Sequence, residues 1–333
     1  MPLTQLNFQP GIDTENTPSG AEGRWIDCDK VRFRKGLPQK IGGWTKFSPE
    51  YYVGVGRALE QWFALDGSRL EALGTDRKVY AYASGTSQDI TPIRSTEALV
   101  NAISTTSSSD IITITDTAHG AIQGDFVTLS SVSTDVGGIP AATLDAEYEI
   151  LSIANVDAYT IQSSATASSA VGPTANCTVT YQLNIGPSEQ TFGYGWGAGT
   201  WNAGTWNTTR TTSQITLDAR LWSINNWGED LIITQKDGGT YEWDTSAGMT
   251  DNRATVVANA PTTSTLSMIS TETRHVVCMG TETTIGSVGT QDKMFIRWSD
   301  QENYNQWTPN VTNSAGSQRI AGGSEIRCAR PAK

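Results

Sequence analysis

Apolar and polar residues alternate with a period of two in short runs along the whole chain, and the runs end in Gly, Asn, Asp or Pro. That is the pattern of half-buried strands joined by turns. RLEALGTDRKVYAY, from Arg69, and DLIITQKDGGTYEW, from Asp230, align without a gap. Each reads as an apolar strand, a polar turn holding Asp76 or Asp237, and a second strand ending in Tyr80 and Tyr82 or in Tyr241 and Trp243. A looser third copy runs from RHVVCMGTE at Arg274, through an insertion with Gly286 and Gly289, to MFIRWSD with Trp298. The strand-like pieces ALEQWFAL, RLWSINNW and TLSMIS precede the three copies. Units of about 45 residues with four short strands predict β-propeller blades.

The expected fold is therefore all-β: a β-propeller, incomplete, with three to four blades visible, the last unit beginning at GSEIRCA. Between the first two copies, alternating strands in IITITDTAHGAIQGDFVTLSSV, LDAEYEILSIANVDAYTIQSSA and NCTVTYQLNIG predict an inserted small β-sandwich or barrel-like domain. Its turns fall at His119-Gly120, Gly124-Asp125 and Asn155 to Asp157. The expected organisation is residues 1–50, an N-terminal docking segment; 51–99, a first propeller part; 100–186, the insert; 187–218, a Gly/Trp-rich loop; and 219–333, a second propeller part.

Two stretches break the strand pattern in informative ways. In VRFRKGLPQKIGGW, Val31 and Phe33 alternate with Arg32 and Arg34, which gives a strand with one apolar and one basic face, closed by Gly36 and Pro38. Such a strip suits an ordinary solvated face, a phosphate contact, or docking to an acidic neighbouring subunit through Arg24, Arg32, Arg34, Lys35 and Trp44. Gly42-Gly43 predicts a tight turn that swings the Trp44 indole into a core. In TFGYGWGAGTWNAGTWNTT, Trp196, Trp201 and Trp206 recur every five residues, which fits neither a helix stripe nor one strand face. A meandering loop whose indoles anchor in pockets, each contributing about 2–3 kcal/mol, is the expected arrangement. A sugar-stacking platform is the alternative.

Charge sharpens the picture. The chain has 333 residues, enough for one large or two medium domains, and a net charge of −11. No Lys or Arg occurs from Ser95 to Thr209, where ten acidic residues lie, whereas Arg24, Lys30, Arg32, Arg34, Lys35, Lys40 and Lys46 crowd the N-terminal region. A broad basic face for nucleic acid is disfavoured. No apolar run approaches the ~18 residues of a bilayer span, and the start has no basic and apolar leader pattern, so no membrane span and synthesis in a cytoplasm-like compartment are expected. Cys28, Cys177, Cys278 and Cys328 are widely spaced, and with His119 and His275 they make no metal-ligand pattern; free thiols and no metal are expected.

Four separated motifs carry a resemblance: LNFQPGIDTENT with GRWIDCDKVRFRKGLPQKIGGW, the GWGAGTW run, RWSDQENYNQWTP, and NSAGSQRIAGGSEI. In this order they resemble the tail nozzle, or packaged-DNA stabilisation, proteins of short-tailed double-stranded DNA bacteriophages. The resemblance implies a structural virion protein, assembled in the host cytoplasm and located in the tail. It implies a ring, commonly a hexamer, below the portal and adaptor proteins, near tail fibre or spike proteins, that forms or seals the DNA-ejection channel and lets double-stranded DNA pass without sequence preference. Chains of this family usually run further, so either this one is shortened or its ring of blades is closed by something else.

No enzyme and no cofactor are expected. His119 and His275 have no nucleophile or carboxylate at a telling spacing, GVGRAL lacks a third glycine, and WSDQENYNQW is too long from Asp300 to Trp307 for the Asp-box of sialidase-type propellers. Glu147 and Glu149 share one strand face and read as solvated surface. Together with Asp135 and Asp145 they are the candidates for a channel wall or outer surface that repels DNA rather than holding it.

Overall fold

The computed structural model describes residues 9–46, 48–189, 218–250 and 252–331, and it is all-β, with one four-residue helix and short 3-10 turns among the described residues. Two compact units emerge, Met1–Pro49 and Glu50–Lys333. The first holds a hairpin of β1 (Val31–Arg34) and β2 (Leu37–Lys40), joined through Lys35 and Gly36, both at positive φ. Two left-handed residues in a two-residue loop match the right-handed twist of the strands, and glycine takes the second place at no steric cost.

In the larger unit, β3 (Gly56–Phe63), β4 (Arg69–Thr75), β5 (Val79–Ala83) and β6 (Thr86–Asp89) form a four-stranded antiparallel meander. The chain then builds an eight-stranded sheet. Its members are β7 (Ile93–Leu99), β8 (Ile103–Thr105), β9 (Ile111–Thr115), β10 (Phe126–Ser130), β11 (Glu147–Asn155), β12 (Ala158–Gln162), β13 (Val171–Thr174) and β14 (Cys177–Gln182), with helix α1 (Ala141–Leu144) ahead of β11. Their spatial order is β13-β8-β9-β12-β11-β10-β14-β7. β11 pairs with β10 along its first residues and with β12 along the rest, and register shifts interrupt the second pairing. Such bulges bend a strand. The bend lets both halves of the sheet bury Ile103, Ile112, Ile114, Val127, Leu129, Ile150, Tyr159, Ile161 and Val179 in one core.

Two further four-stranded meanders follow. The second sheet is β15 (Trp222–Trp227), β16 (Asp230–Gln235), β17 (Thr240–Trp243) and β18 (Thr255–Val256). The third is β19 (Leu266–Ile269), β20 (Val276–Met279), β21 (Phe295–Trp298) and β22 (Gly316–Arg319). The repeated copies read from the sequence are therefore the β4-β5, β16-β17 and β20-β21 hairpins. The eight-stranded sheet starts at Ile93, earlier than the expected insert, because IRSTEAL pairs with β14 although its own apolar pattern is weak.

The four-stranded sheets stack face to face through their leading strands: β15 packs on β3 and β4, and β19 packs on β15 and β16. Between the first two lie Trp62, Ala72, Val79, Ala81, Trp222, Ile224, Leu231, Ile233 and Trp243. Trp62 meets Trp243 edge-on, with ring centroids 6.4 Å apart. Between the second and third lie Trp227, Ile232, Val276, Cys278 and the wholly buried Trp307. Backbone carbonyls satisfy several of these indole nitrogens, as buried tryptophans require: Trp62 donates to Glu229 O at 2.7 Å, and Trp222 to Thr75 O at 2.5 Å.

Candidate functional site

In the N-terminal unit the expected two-faced strand forms, with Val31 and Phe33 half-buried and Arg32 and Arg34 exposed. Arg32 Nε donates to Gln39 Oε1 across the hairpin at 3.1 Å, and Lys35 is exposed at the turn. Arg24 pairs locally with Asp13 at 3.2 Å. The expectation for Trp44 is corrected. Its side chain is 101% exposed, and nothing lies within 4 Å of where a Cβ on Gly42 or Gly43 would stand. Among the described residues of this unit nothing packs over the indole, so it enters no core there. Leu37, in β2, is 70% exposed. The anchors Trp196, Trp201 and Trp206 lie outside the described residues.

The acidic candidates hold structure together. Asp135 Oδ1 accepts from Ala141 N at the start of α1, at 2.9 Å, and Asp145 Oδ1 accepts from Val132 N at 2.9 Å. Glu147 and Glu149 do share one strand face and are exposed, but each is also paired with a cation. Glu149 Oε1 meets Arg77 at 2.9 Å, and Glu147 Oε2 meets Lys78 at 2.6 Å. Arg77 and Lys78 sit in the β4-β5 turn, so the basic partners come from the first four-stranded sheet, far away in sequence.

Lys78 is the centre of this junction. It is only 4% exposed, reaches Asp89 Oδ2 at 2.9 Å as well as Glu147, and lies 4.1 Å above the Phe126 ring. Arg253, from the loop before β18, meets Asp89 Oδ1 at 2.8 Å. Gln182, at the end of β14, donates to Glu147. Burial alone would raise the pKa of Asp89, yet the charges of Arg253 and Lys78 and the Thr91 hydrogen bond hold it below the usual carboxylate value. Sequence reasoning missed Arg77, Lys78 and Arg253. The one available signal was that a window with ten acids and no cation must find its counter-charges elsewhere.

Other chemistry-bearing groups are also committed. His119 Nδ1 accepts from Ala121 N at 3.0 Å, which leaves Nε2 to donate to Asn155 O at 3.2 Å. His275 Nδ1 lies 2.8 Å from Ser299 O. Tyr181 donates to Asp116 Oδ2 at 2.5 Å inside the insert core, and burial pushes its hydroxyl far above the ordinary value. Asp300 Oδ1 accepts from Ser314 N at 2.8 Å, joining two turns. All four cysteines are free, and burial pushes the Cys177 and Cys278 thiols up to about 11.

Two of the clefts on the larger unit are lined by several charged side chains. One, of about 740 Å³, is lined by Arg220, Lys236, Lys293, Asp218 and Asp237. Its lysines are paired, Lys236 with Asp218 at 2.7 Å and Lys293 with Asp237. Arg220 lies 5.0 Å above the Trp222 ring and donates to Asn184 O; burial lowers its pKa to about 10. The other, of about 390 Å³, is lined by Glu229, Asp230, Glu242, Asp244 and Tyr304. Among the described residues no group of acidic, His or Cys side chains is arranged to hold a metal ion. Among the described residues no helix is long and apolar enough to cross a membrane.

No family model matches the sequence, and no curated protein matches it. Among solved structures the chain aligns with the phage phi92 endosialidase at a TM-score of 0.24 and 12% identity. The alignment covers 87% of this chain and 41% of the endosialidase chain. At that score the likeness carries no argument about fold or activity.

Proposed function

We propose that the chain is a structural protein of a phage tail, a nozzle-type subunit of a ring below the portal and adaptor that forms or seals the DNA-ejection channel and stabilises the packaged genome. The three fanned sheets are read as blades of a propeller, and the role as structural rather than catalytic. The observation that carries the reading is the N-terminal unit. It leaves Trp44 and Leu37 bare and exposes Arg32, Arg34 and Lys35 in the same short segment of chain. Bare aromatic and aliphatic side chains beside arginines are what a buried interface centre uses, and here they suit an acidic neighbour.

The channel hypothesis takes a different form from the one the sequence suggests. Asp135 and Asp145 keep their charge while accepting from backbone N–H groups, whereas Glu147 and Glu149 are paired with Lys78 and Arg77, which lessens what those two would add to a repelling wall. The excess negative charge of the chain as a whole would supply that repulsion.

Antibody labelling of intact virions from the source, viewed by electron microscopy, tests the reading. Label confined to the tail tip below the portal vertex is expected. Label on fibres, on the capsid or nowhere on particles would overturn it, and a glycan array would then decide whether the chain binds host carbohydrate. Within the tail reading, Arg32→Glu with Arg34→Glu and Lys35→Glu is expected to cut incorporation into particles at least tenfold while leaving the melting temperature of the free protein unchanged. Normal incorporation would count against docking by this hairpin.

A further inference from the structure

Arg220, two residues ahead of β15, carries a buried charge with half of its hydrogen-bonding edge unused. The side chain is only 4% exposed, its Nη1 donates to Asn184 O, and the guanidinium lies over the Trp222 ring. Among the described residues Nε and Nη2 have no hydrogen-bond partner, and both are shut off from water. Tyr241, Asp125 and Asp76 act on the charge from further off, but neither carboxylate bonds to these two nitrogens. A buried donor left unpaired costs about 1–3 kcal/mol, and more when it belongs to a charged group. Native proteins keep few such groups, and a bound ion or water is among the usual reasons for one.

Arg220 forms part of the wall of the cleft of about 740 Å³. Ile122 of the insert, Ile185 and Pro187 of the segment that leaves it, Lys236 of the β16-β17 turn and Lys293 ahead of β21 complete that wall with Asp218 and Asp237. Three cations of the lining, Arg220, Lys236 and Lys293, meet two carboxylates, Asp218 and Asp237, which leaves one positive charge over. The two carboxylates are already held by the lysines. Arg327 also comes to Asp218, at 3.6 Å, but brings Glu325 as its own partner and so leaves the balance as it was. A water molecule would satisfy Nε and Nη2 as donors without answering the charge.

We propose that this cleft binds a carboxylate, held side-on by Nε and Nη2 of Arg220 as the guanidinium turns that edge toward the cleft. Nε and Nη2 make the side edge of the guanidinium, two parallel N–H groups that match the two oxygens of a carboxylate. One charge is left over in the lining, which a carboxylate neutralises and a phosphate dianion overshoots. Ile122, Ile185, Pro187 and Ala219 give the cleft an apolar side, which suits a carboxylate on an aliphatic stem. A small aliphatic acid carries such a group, and so does a glutamate side chain of a partner protein. The site does not depend on the tail reading, because it lies on the larger unit alone.

The test is calorimetric titration of the full chain, near neutral pH and at constant ionic strength, with butyrate, with a capped Gly-Glu-Gly peptide and with inorganic phosphate. Butyrate or the peptide is expected to saturate a single site per chain, and the tighter of the two tells a free acid from a partner's side chain. Arg220→Gln is expected to weaken that binding by about thirtyfold, through loss of both the charge and the paired donors. Arg220→Lys is expected to weaken it by about tenfold, because an ammonium keeps the charge but offers no parallel pair.

Should the Arg220 variants fail to fold by circular dichroism, Lys293→Glu gives the same information from a side chain that is 35% exposed. It leaves two cations against three carboxylates in the lining, and is expected to abolish binding. A wild type that takes up neither butyrate nor the peptide overturns the proposal. Phosphate that binds as tightly as the better carboxylate overturns it as well. So does a folded Arg220→Gln or Lys293→Glu that binds as wild type does, which would place the ligand elsewhere and leave Arg220 to its stacking on Trp222.

Discussion

An ammonium group at 4% exposure survives in Lys78 only because two carboxylates and an aromatic ring replace its water. Lys78→Met leaves Asp89 and Glu147 with Arg253 as their remaining cation, beside the hydrogen bonds from Thr91 and Gln182. The expected cost is about 3 kcal/mol, the low end for breaking a buried pair, since Glu147 and Arg253 keep some water; a denaturant melt reads it, and a loss below 1 kcal/mol would contradict the assignment. The same site makes stability depend on pH. Asp89 and Asp237 are both held below the ordinary carboxylate value of about 3.9, Asp89 by Arg253 and Lys78 against its burial, Asp237 by Lys293 and Gln291 against its burial. The unfolded chain takes up protons first, so their contribution is complete above about pH 4 and is lost as pH falls through the lowered values. Melting temperatures from pH 6 down to 2.5 are expected to drop only below about pH 4. Residue-level roles were the least legible part of the sequence. Asp135 and Asp145 look free in the chain, because their backbone partners Ala141 N and Val132 N are set by loop geometry rather than by spacing. Trp44 looked like a core residue because its size invites burial, but only a second layer could have provided a pocket.

Strands were read well where both local pattern and burial agreed. The β4-β5 and β16-β17 hairpins lie where the aligned copies predicted them, because alternation within each hairpin records which face packs on the neighbouring sheet. Strand order in the eight-stranded sheet was not legible, since its bend depends on register shifts in β11 that no residue type announces. At this scale the sheet-to-sheet distance is set by small residues. A Cβ on Gly74 would stand 2.8 Å from Trp222 Cδ1 and 3.1 Å from Trp222 Cβ. Gly74→Val is therefore expected to force β4 away from β15 and to destabilise the chain by roughly 1–3 kcal/mol, as overpacking usually does. Unfolding in urea monitored by tryptophan fluorescence measures it, and an unchanged midpoint would mean that the two sheets slide freely.

Across the larger unit, the charge asymmetry of the sequence turns into adhesion. The insert brings carboxylates, the β4-β5 turn and Arg253 bring cations, and the opposite signs meet at Glu147 and Glu149 rather than remaining as a long acidic wall. The exposed Arg77–Glu149 pair is screened by salt, whereas the buried Lys78 cluster is screened much less. The connection of this insert to the rest of the unit has a consequence of its own. The chain enters through β7 and leaves through β14, which lie side by side, with Ile93 opposite Gln182 and Leu183 N donating to Pro92 O at 3.0 Å. Both connecting points thus sit within one strand spacing of each other, about 5 Å. A short turn from Pro92 to Leu183 would bridge them, so the whole eight-stranded module is a cassette: lineages can lose it, lengthen it or exchange it for another, provided that a newcomer brings acids for Arg77, Lys78 and Arg253.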